Sequence, residues 1–191
     1  EIELRDKLLN NGYSFYSTTD TEVAIKLVDY YYKKYQIGPV DAINRMMVRV
    51  RGSYALALMF KDYPGEIYAA RKDSPMVIGV ADGESFIASD VPALLHYTRD
   101  IYYVEDMQTV RVLPGEIHFF DLNGDEVEME KTHITWDAGA AEKGGYEHFM
   151  LKEIHEQPAA VRDTLNSVLK DGRIDLSGAG LSDELLADIS A

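Results

Sequence analysis

Apolar positions in the first third of the chain recur at helical spacing. Leu4, Leu8 and Leu9 share one face of a short helix that Asn11-Gly12 stops, after which Tyr13 to Ser17 alternates apolar and polar as a strand does. Thr19-Asp20-Thr21-Glu22 has the form of a capping box, in which a threonine hydroxyl and a glutamate three residues on satisfy backbone donors at a helix start. It opens a helix with Val23, Leu27, Tyr30 and Tyr31 on its apolar side, ended by Gly38-Pro39. Val40 to Val50 predicts a third helix, striped by Ile43, Met46, Met47 and Val50, and the period changes at Arg51-Gly52.

From there the pattern is that of strands. The nearly continuous apolar run Tyr54 to Phe60 predicts a strand covered on both faces, and Glu66 to Ala70 is its expected partner across Tyr63-Pro64-Gly65. Met76 to Val80 and Ser85 to Ser89 flank Asp82-Gly83 as a hairpin, and Glu116 to Leu122 pairs with Glu126 to Met129 through Asn123-Gly124. Between the hairpins, Val91 to Tyr97 predicts a short helix and Ile101 to Val112 holds two further strands, stopped by Pro114-Gly115. After Trp136 the small-residue stretch Asp137 to Gly145 reads as a connector. Tyr146 to Lys170 is then expected to be helical but interrupted or redirected at Pro158, with an incomplete helix over Ser182 to Ile189 closing the chain. Helices followed by a meander of strands predict an α+β fold.

Composition narrows the function. Of 191 residues, 46% are hydrophobic and 27% charged, enough apolar content to bury a core. Nineteen basic against thirty-three acidic residues give a net charge of -14, the wrong sign for tracking phosphates along a nucleic acid or resting on anionic lipid, so neither partner is expected. No apolar run approaches a bilayer span and the first residues lack a secretion signal, which makes a cytoplasmic protein the expectation. The chain has no cysteine, and therefore neither a disulfide nor a thiol nucleophile.

Few residues form a constellation that carries chemistry. His96, His118, His133, His148 and His155 are scattered without ligand spacing, and as solvent-facing or core-satisfied imidazoles they predict no metal site. Gly178-Ala179-Gly180 lacks a preceding strand and the third glycine of a phosphate-binding turn. Tyr30, Tyr31, Tyr32 and Tyr35 could form a stacking platform, but on a helix of so acidic a chain the packing of two tyrosines and exposure of the others is the better reading. Asp20, in the first turn of its helix, is read from the residues alone as a structural group favoured by the helix dipole.

Several segments nevertheless resemble, in order, the glutamine:fructose-6-phosphate amidotransferases. They are Leu4 to Leu8, Gly12 to Phe15, Thr19 to Val23, Arg51 to Ala55, Ala69 to Arg71, Ser74 to Gly79, Phe86 to Asp90, and the run Tyr146 to Pro158. The Thr-Asp-Thr-Glu text is weakly specific, because the amidophosphoribosyltransferases of purine synthesis share similar text. The His-Phe-Met-Leu-Lys-Glu-Ile-His-Glu-Gln-Pro run separates the two. The resemblance implies a truncated N-terminal-nucleophile hydrolase fold, a class II glutamine amidotransferase domain built as an α-β-β-α sandwich with antiparallel sheets. Residues 1–136 would be part of a glutaminase domain, and 137–191 a linker and the start of a sugar-isomerase domain, cut before its first strand. The parent would turn fructose 6-phosphate and glutamine into glucosamine 6-phosphate and glutamate without a cofactor.

Within that resemblance Asp20 would hold the ammonium group of glutamine. A carboxylate fixed at a helix start suits that task through a charge-assisted hydrogen bond. The family's leading cysteine, the asparagine-glycine pair of its oxyanion hole, its carboxylate-gripping arginine and its channel tryptophan have no counterpart here, since Trp136 stands in another context. The expectation is one flank of a glutaminase site, inactive alone, with fructose 6-phosphate bound only by a domain outside this chain. A non-catalytic binding module of the same fold is the alternative from another class. The parent would be a homodimer, and the fragment is expected to self-associate through the sheet edge that lost its leading strands.

Overall fold

The computed structural model describes residues 2–135, 144–170 and 172–181, and it divides the chain into two compact units, Glu1–Ala138 and Gly139–Ala191. In the first unit three helices come first: α1 (Ile2–Asn10), α2 (Asp20–Tyr35) and α3 (Pro39–Arg49). Nine strands follow: β1 (Tyr54–Leu58), β2 (Ile67–Lys72), β3 (Val77–Ala81), β4 (Glu84–Ala88), β5 (Asp100–Tyr103), β6 (Thr109–Leu113), β7 (Glu116–Phe120), β8 (Glu126–Val127) and β9 (Thr132–His133). They form a five-stranded sheet in the order β1-β2-β6-β7-β8 and a four-stranded sheet in the order β4-β3-β5-β9, all of whose pairings are antiparallel.

Two apolar layers hold this unit together. Leu27, Ile43, Met46 and Met47, all fully buried, seat α2 and α3 on the five-stranded sheet against Leu58, Tyr68 and Ala70. On the opposite face of that sheet Ala69, Val110, Val112 and Phe119 meet Met76, Ile78 and Val104, which lie on or beside the four-stranded sheet. Consecutive alanines in β2 thus serve different layers, as alternation along a strand requires: Ala70 faces the helices and Ala69 the other sheet. A buried polar bridge links the helix layer to β6. Thr109 in β6 donates to Asn44 Oδ1 of α3 at 2.7 Å, and Asn44 Nδ2 donates at 2.7 Å to the Asp121 carbonyl. Where two hairpin tips meet, Ser85 donates to the Leu113 carbonyl at 2.8 Å and accepts from the Gly115 amide at 3.1 Å.

The α+β class and the antiparallel layers agree with the sequence reading, and four local expectations are corrected. Tyr13 to Ser17 is not a strand: the amides of Tyr16 and Ser17 donate to the Glu22 carboxylate at 2.9 and 2.7 Å, so no ladder can use them. The strand from Tyr54 is covered on one face only, for Leu58 is buried while Ala55, Ala57 and Met59 are exposed. Val91 to Tyr97 is a series of turns with Leu94 and Tyr97 amides bonded three residues back, and it buries Val91, Leu94 and Leu95 over the outer face of the four-stranded sheet. Pro158 does not interrupt the last helix.

That helix, α4 (Phe149–Val168), belongs to the second unit, followed by the two-residue pair β10 (Leu169–Lys170) and β11 (Arg173–Ile174) and a 3-10 turn over Ser177–Ala179. Pro158 lies inside it, where the lost donor leaves one carbonyl without its helical partner. No residue of α4 is buried, so water can satisfy that carbonyl. Gly178-Ala179-Gly180 follows the short β11, although the sequence showed no strand before it. The helix expected over Ser182 to Ile189 lies outside the described residues, as do Trp136 and most of the connector. No helix among the described residues is long and apolar enough to cross a membrane.

Candidate functional site

Asp20 is the first residue of α2 and stands beside a cleft of about 350 Å³. The cleft is bounded by Leu4 of α1, by Asp20, Val23 and Ala24 of α2, and by the segment from Val50 through Leu56 that enters β1. Its position is fixed by the local chemistry of the helix start. Thr19 is the N-cap and its hydroxyl accepts the Glu22 amide at 3.4 Å, one half of the expected capping box. The other half is displaced. Instead of returning to Thr19, the Glu22 carboxylate gathers the Tyr16 amide, the Ser17 amide and the Ser17 hydroxyl, the last at 2.6 Å. These bonds, led by the one from Ser17, hold the Glu22 carboxyl down at about 2, so it stays an anion through ordinary pH. Arg5 completes the clamp by donating to the Ser17 carbonyl at 2.8 Å while its guanidinium lies 4.2 Å from the Phe15 ring centroid.

The carboxylate of Asp20 is therefore held on a stiff turn. Its Oδ1 accepts the Thr21 amide at 2.8 Å, its only hydrogen-bond partner among the described residues. A carboxylate with one oxygen free, at a helix N-terminus and next to an apolar wall, can take a cationic group from solution. The same cleft is lined by Arg51, an exposed residue that the sequence reading noted as a change of period and as the start of a resembling segment but not as a site residue. One anion and one cation in a common cleft suit a zwitterion such as an α-amino acid. The signal for Arg51 was its place beside Gly52, whose φ of +98° sets the entry into β1.

The histidines come together nowhere. His118 sits between Glu126 and Glu116, at 2.5 and 2.7 Å, and His133 bonds Asp100 at 2.6 Å. His155 stacks on Tyr146, and His96 and His148 are exposed. Among the described residues no group of three His, Cys, Asp or Glu side chains is placed to hold a metal. Of the tyrosines, Tyr30 is buried, Tyr31 and Tyr32 are half-buried and Tyr35 is exposed.

Comparison with known proteins bears on this cleft. The family model described as a glutamine amidotransferase domain matches residues 1–96, which hold every residue lining it. The curated relative from Clostridium acetobutylicum named glutamine–fructose-6-phosphate aminotransferase [isomerizing] is 46% identical over 189 residues, covering 98% of this chain and 31% of its own. Its namesake from Clostridium tetani is 45% identical over 190 residues, covering 99% and 31%, and that from Methanothermobacter thermautotrophicus is 46% identical over 167 residues, covering 86% and 28%. The chain thus spans about a third of the length of the relatives it matches. Among solved structures, a glutamine phosphoribosylpyrophosphate amidotransferase from B. subtilis aligns with a TM-score of 0.52 at 21% identity, over 65% of this chain and 27% of that one. That likeness is one of fold.

Proposed function

Since this chain belongs to the glutamine amidotransferase family, we propose that it supplies the wall of a glutaminase site that holds the ammonium group of glutamine, with Asp20 as the group that binds it. The observation that carries the reading is the place of Asp20, an exposed carboxylate at the first turn of α2 that lines the cleft beside the turn held by Glu22. Arg51 in the same cleft fits the opposite charge of the amino acid. The whole protein to which such a chain contributes converts fructose 6-phosphate and glutamine into glucosamine 6-phosphate and glutamate, in the cytoplasm, as a homodimer. The relatives at 40–46% identity support this over a phosphoribosyl-transferring parent, for which the likeness is one of fold at 21% identity.

Hydrolysis of a carboxamide by this family chemistry needs a nucleophile, and these 191 residues contain no cysteine. Residues 1–136 therefore act as a partial glutaminase domain, and 137–191 as the link toward a sugar-isomerase domain. Titration of the chain with L-glutamine, followed by NMR, tests the role of Asp20. Saturable binding is expected, weakened at least about tenfold by Asp20→Asn through loss of one charge-assisted contact. Glutamate release should stay at background. Binding that ignores Asp20→Asn refutes the assignment, and hydrolysis by this chain refutes its incompleteness.

The edge of the five-stranded sheet bears on partners. β1 is an end strand with no strand partner on one side among the described residues, and Ala55, Ala57 and Met59 lie bare on the face that carries Ala69 in the neighbouring β2, the face turned toward the four-stranded sheet. Such an edge recruits another strand, and in isolation the chain is expected to associate with itself there. Light scattering over a concentration series checks this. A strict monomer at all concentrations, with β1 amides slow to exchange, would show that the edge is closed.

A further inference from the structure

A second concavity, of about 770 Å³, lies at the other end of α2, formed by the last turns of α2, one face of α3, Lys7 of α1 and the turn after β7. Its volume is in the range of small-molecule sites. In a chain of net charge -14, three cations line it, Lys7, Arg45 and Arg49, and none of them has an ion pair with a carboxylate among the described residues. Arg45 and Arg49 are one helical turn apart on the same face of α3, so their guanidinium groups can converge on one anion.

Two of the three cations, Arg45 and Lys7, lie against tyrosine rings. The Arg45 guanidinium lies 4.6 Å from the ring centroid of Tyr35, and Tyr35 stacks on Tyr31 with centroids 6.1 Å apart. Stacking occupies the flat face of a guanidinium and leaves its N–H edge free to donate. Lys7 is placed in the same way, its ammonium 5.5 Å from the ring of Tyr30. Tyr31 is half-buried, and its hydroxyl has no hydrogen-bond partner among the described residues, so it can donate to an occupant. One carboxylate also lines the cavity, that of Asp41, but its Oδ1 is turned toward the turn after β7, 2.9 Å from where a side chain on Gly124 would begin. Beside the cations stand exposed apolar groups, Val48 at 70% and Leu122 at 39% exposure.

From this arrangement we infer a binding site for a small organic phosphate, its anionic group taken by Arg45, Arg49 and Lys7 and its apolar body resting on Val48 and Leu122. Two guanidinium edges and an ammonium match the several oxygens of a phosphate better than a single carboxylate. The apolar lip adds affinity that a bare inorganic anion cannot use. The site stands apart from the Asp20 cleft in residues and in chemistry, so neither reading depends on the other.

Calorimetric titration of the chain with phenyl phosphate, inorganic phosphate and phenol tests the inference. Phenyl phosphate should bind saturably with a Kd on the order of 0.1–1 mM. Inorganic phosphate should bind more weakly, and phenol not measurably. The double variant Arg45→Ala/Arg49→Ala, two exposed positions, should weaken phenyl phosphate at least about tenfold with its circular dichroism unchanged. Lys7→Gln should weaken it less, and through a different helix. Absence of saturable phenyl phosphate binding overturns the inference. So does binding indifferent to both variants, phenol binding as well as phenyl phosphate, or polyglutamate displacing phenyl phosphate at lower concentration than inorganic phosphate does.

Discussion

Replacing Asn44 by leucine removes the buried polar bridge from α3 to β6 while nearly keeping the volume. Two bonds are lost, and they are not equivalent. The Thr109 hydroxyl is fully buried with Asn44 Oδ1 as its partner, and stranding it costs about 1–3 kcal/mol. The Asp121 carbonyl belongs to a half-buried residue and can take water instead, so its loss adds about 0.5 kcal/mol. The expected destabilisation is about 2–3 kcal/mol, read from urea unfolding followed by the tyrosine circular dichroism of the first unit. Thr109→Val in the same chain removes the stranded hydroxyl, so the double variant should recover about 1–2 kcal/mol of that loss. If Asn44→Leu changes stability by under about 0.5 kcal/mol, or the two substitutions simply add, then the bridge does not hold α3 to the sheet as argued.

Gly115 has φ +72°, and a Cβ on it would come within 3.1 Å of the Gly83 backbone in the facing hairpin tip. Gly115→Ala should therefore destabilise by about 1–3 kcal/mol and speed exchange of the Gly115 amide that Ser85 holds. His118 offers a pH test. Its pKa is raised above the ordinary 6.5, chiefly by Glu126 and then by Glu116, against the opposing effects of partial burial and, less, of Arg111 across the β6–β7 pairing. A raised folded pKa means that its stabilisation is full below about 6.5 and fades as pH climbs through the folded value. The contact is near the surface, so less than about 1 kcal/mol should disappear. His118→Gln should flatten that part of the urea-midpoint profile, and an unchanged slope would deny the pair its role.

The sequence showed most where hydrophobic period and turn chemistry agreed. α2 and α3 begin near Thr19 and Gly38 because a capping threonine and a proline at the first turn leave little choice, and Asp82-Gly83 and Asn123-Gly124 fixed two turns for the same reason. It misled where a distant partner decides. Tyr13 to Ser17 alternates correctly but surrenders its amides to Glu22, and the apolar text of β1 could not reveal that the strand lies at an edge. β9 is only two residues long and exists because β5 offers it a ladder, which no local period can announce. For the cleft, Asp20 stood out by its place in the capping box, whereas Arg51 became visible only when the chain's return to α2 was known. The Asn44 bridge spans 65 positions to Thr109 and left no trace in either segment.

Helix α2 touches both concavities: Asp20 stands at its first turn and Tyr31 and Tyr35 in its last. Its 16 residues run without proline or glycine, a rod of about 24 Å. Such a rod has few ways to absorb a push. Any occupant that tilts its C-terminal end against α3 must also move the turn that aims Asp20, because bending a well-packed helix is harder than rocking it. If a push at one end does move the other, reciprocity makes the effect mutual: groups bound beside Asp20 and beside Tyr35 would change each other's affinity by the same factor. The helix is in that sense a lever between two concavities.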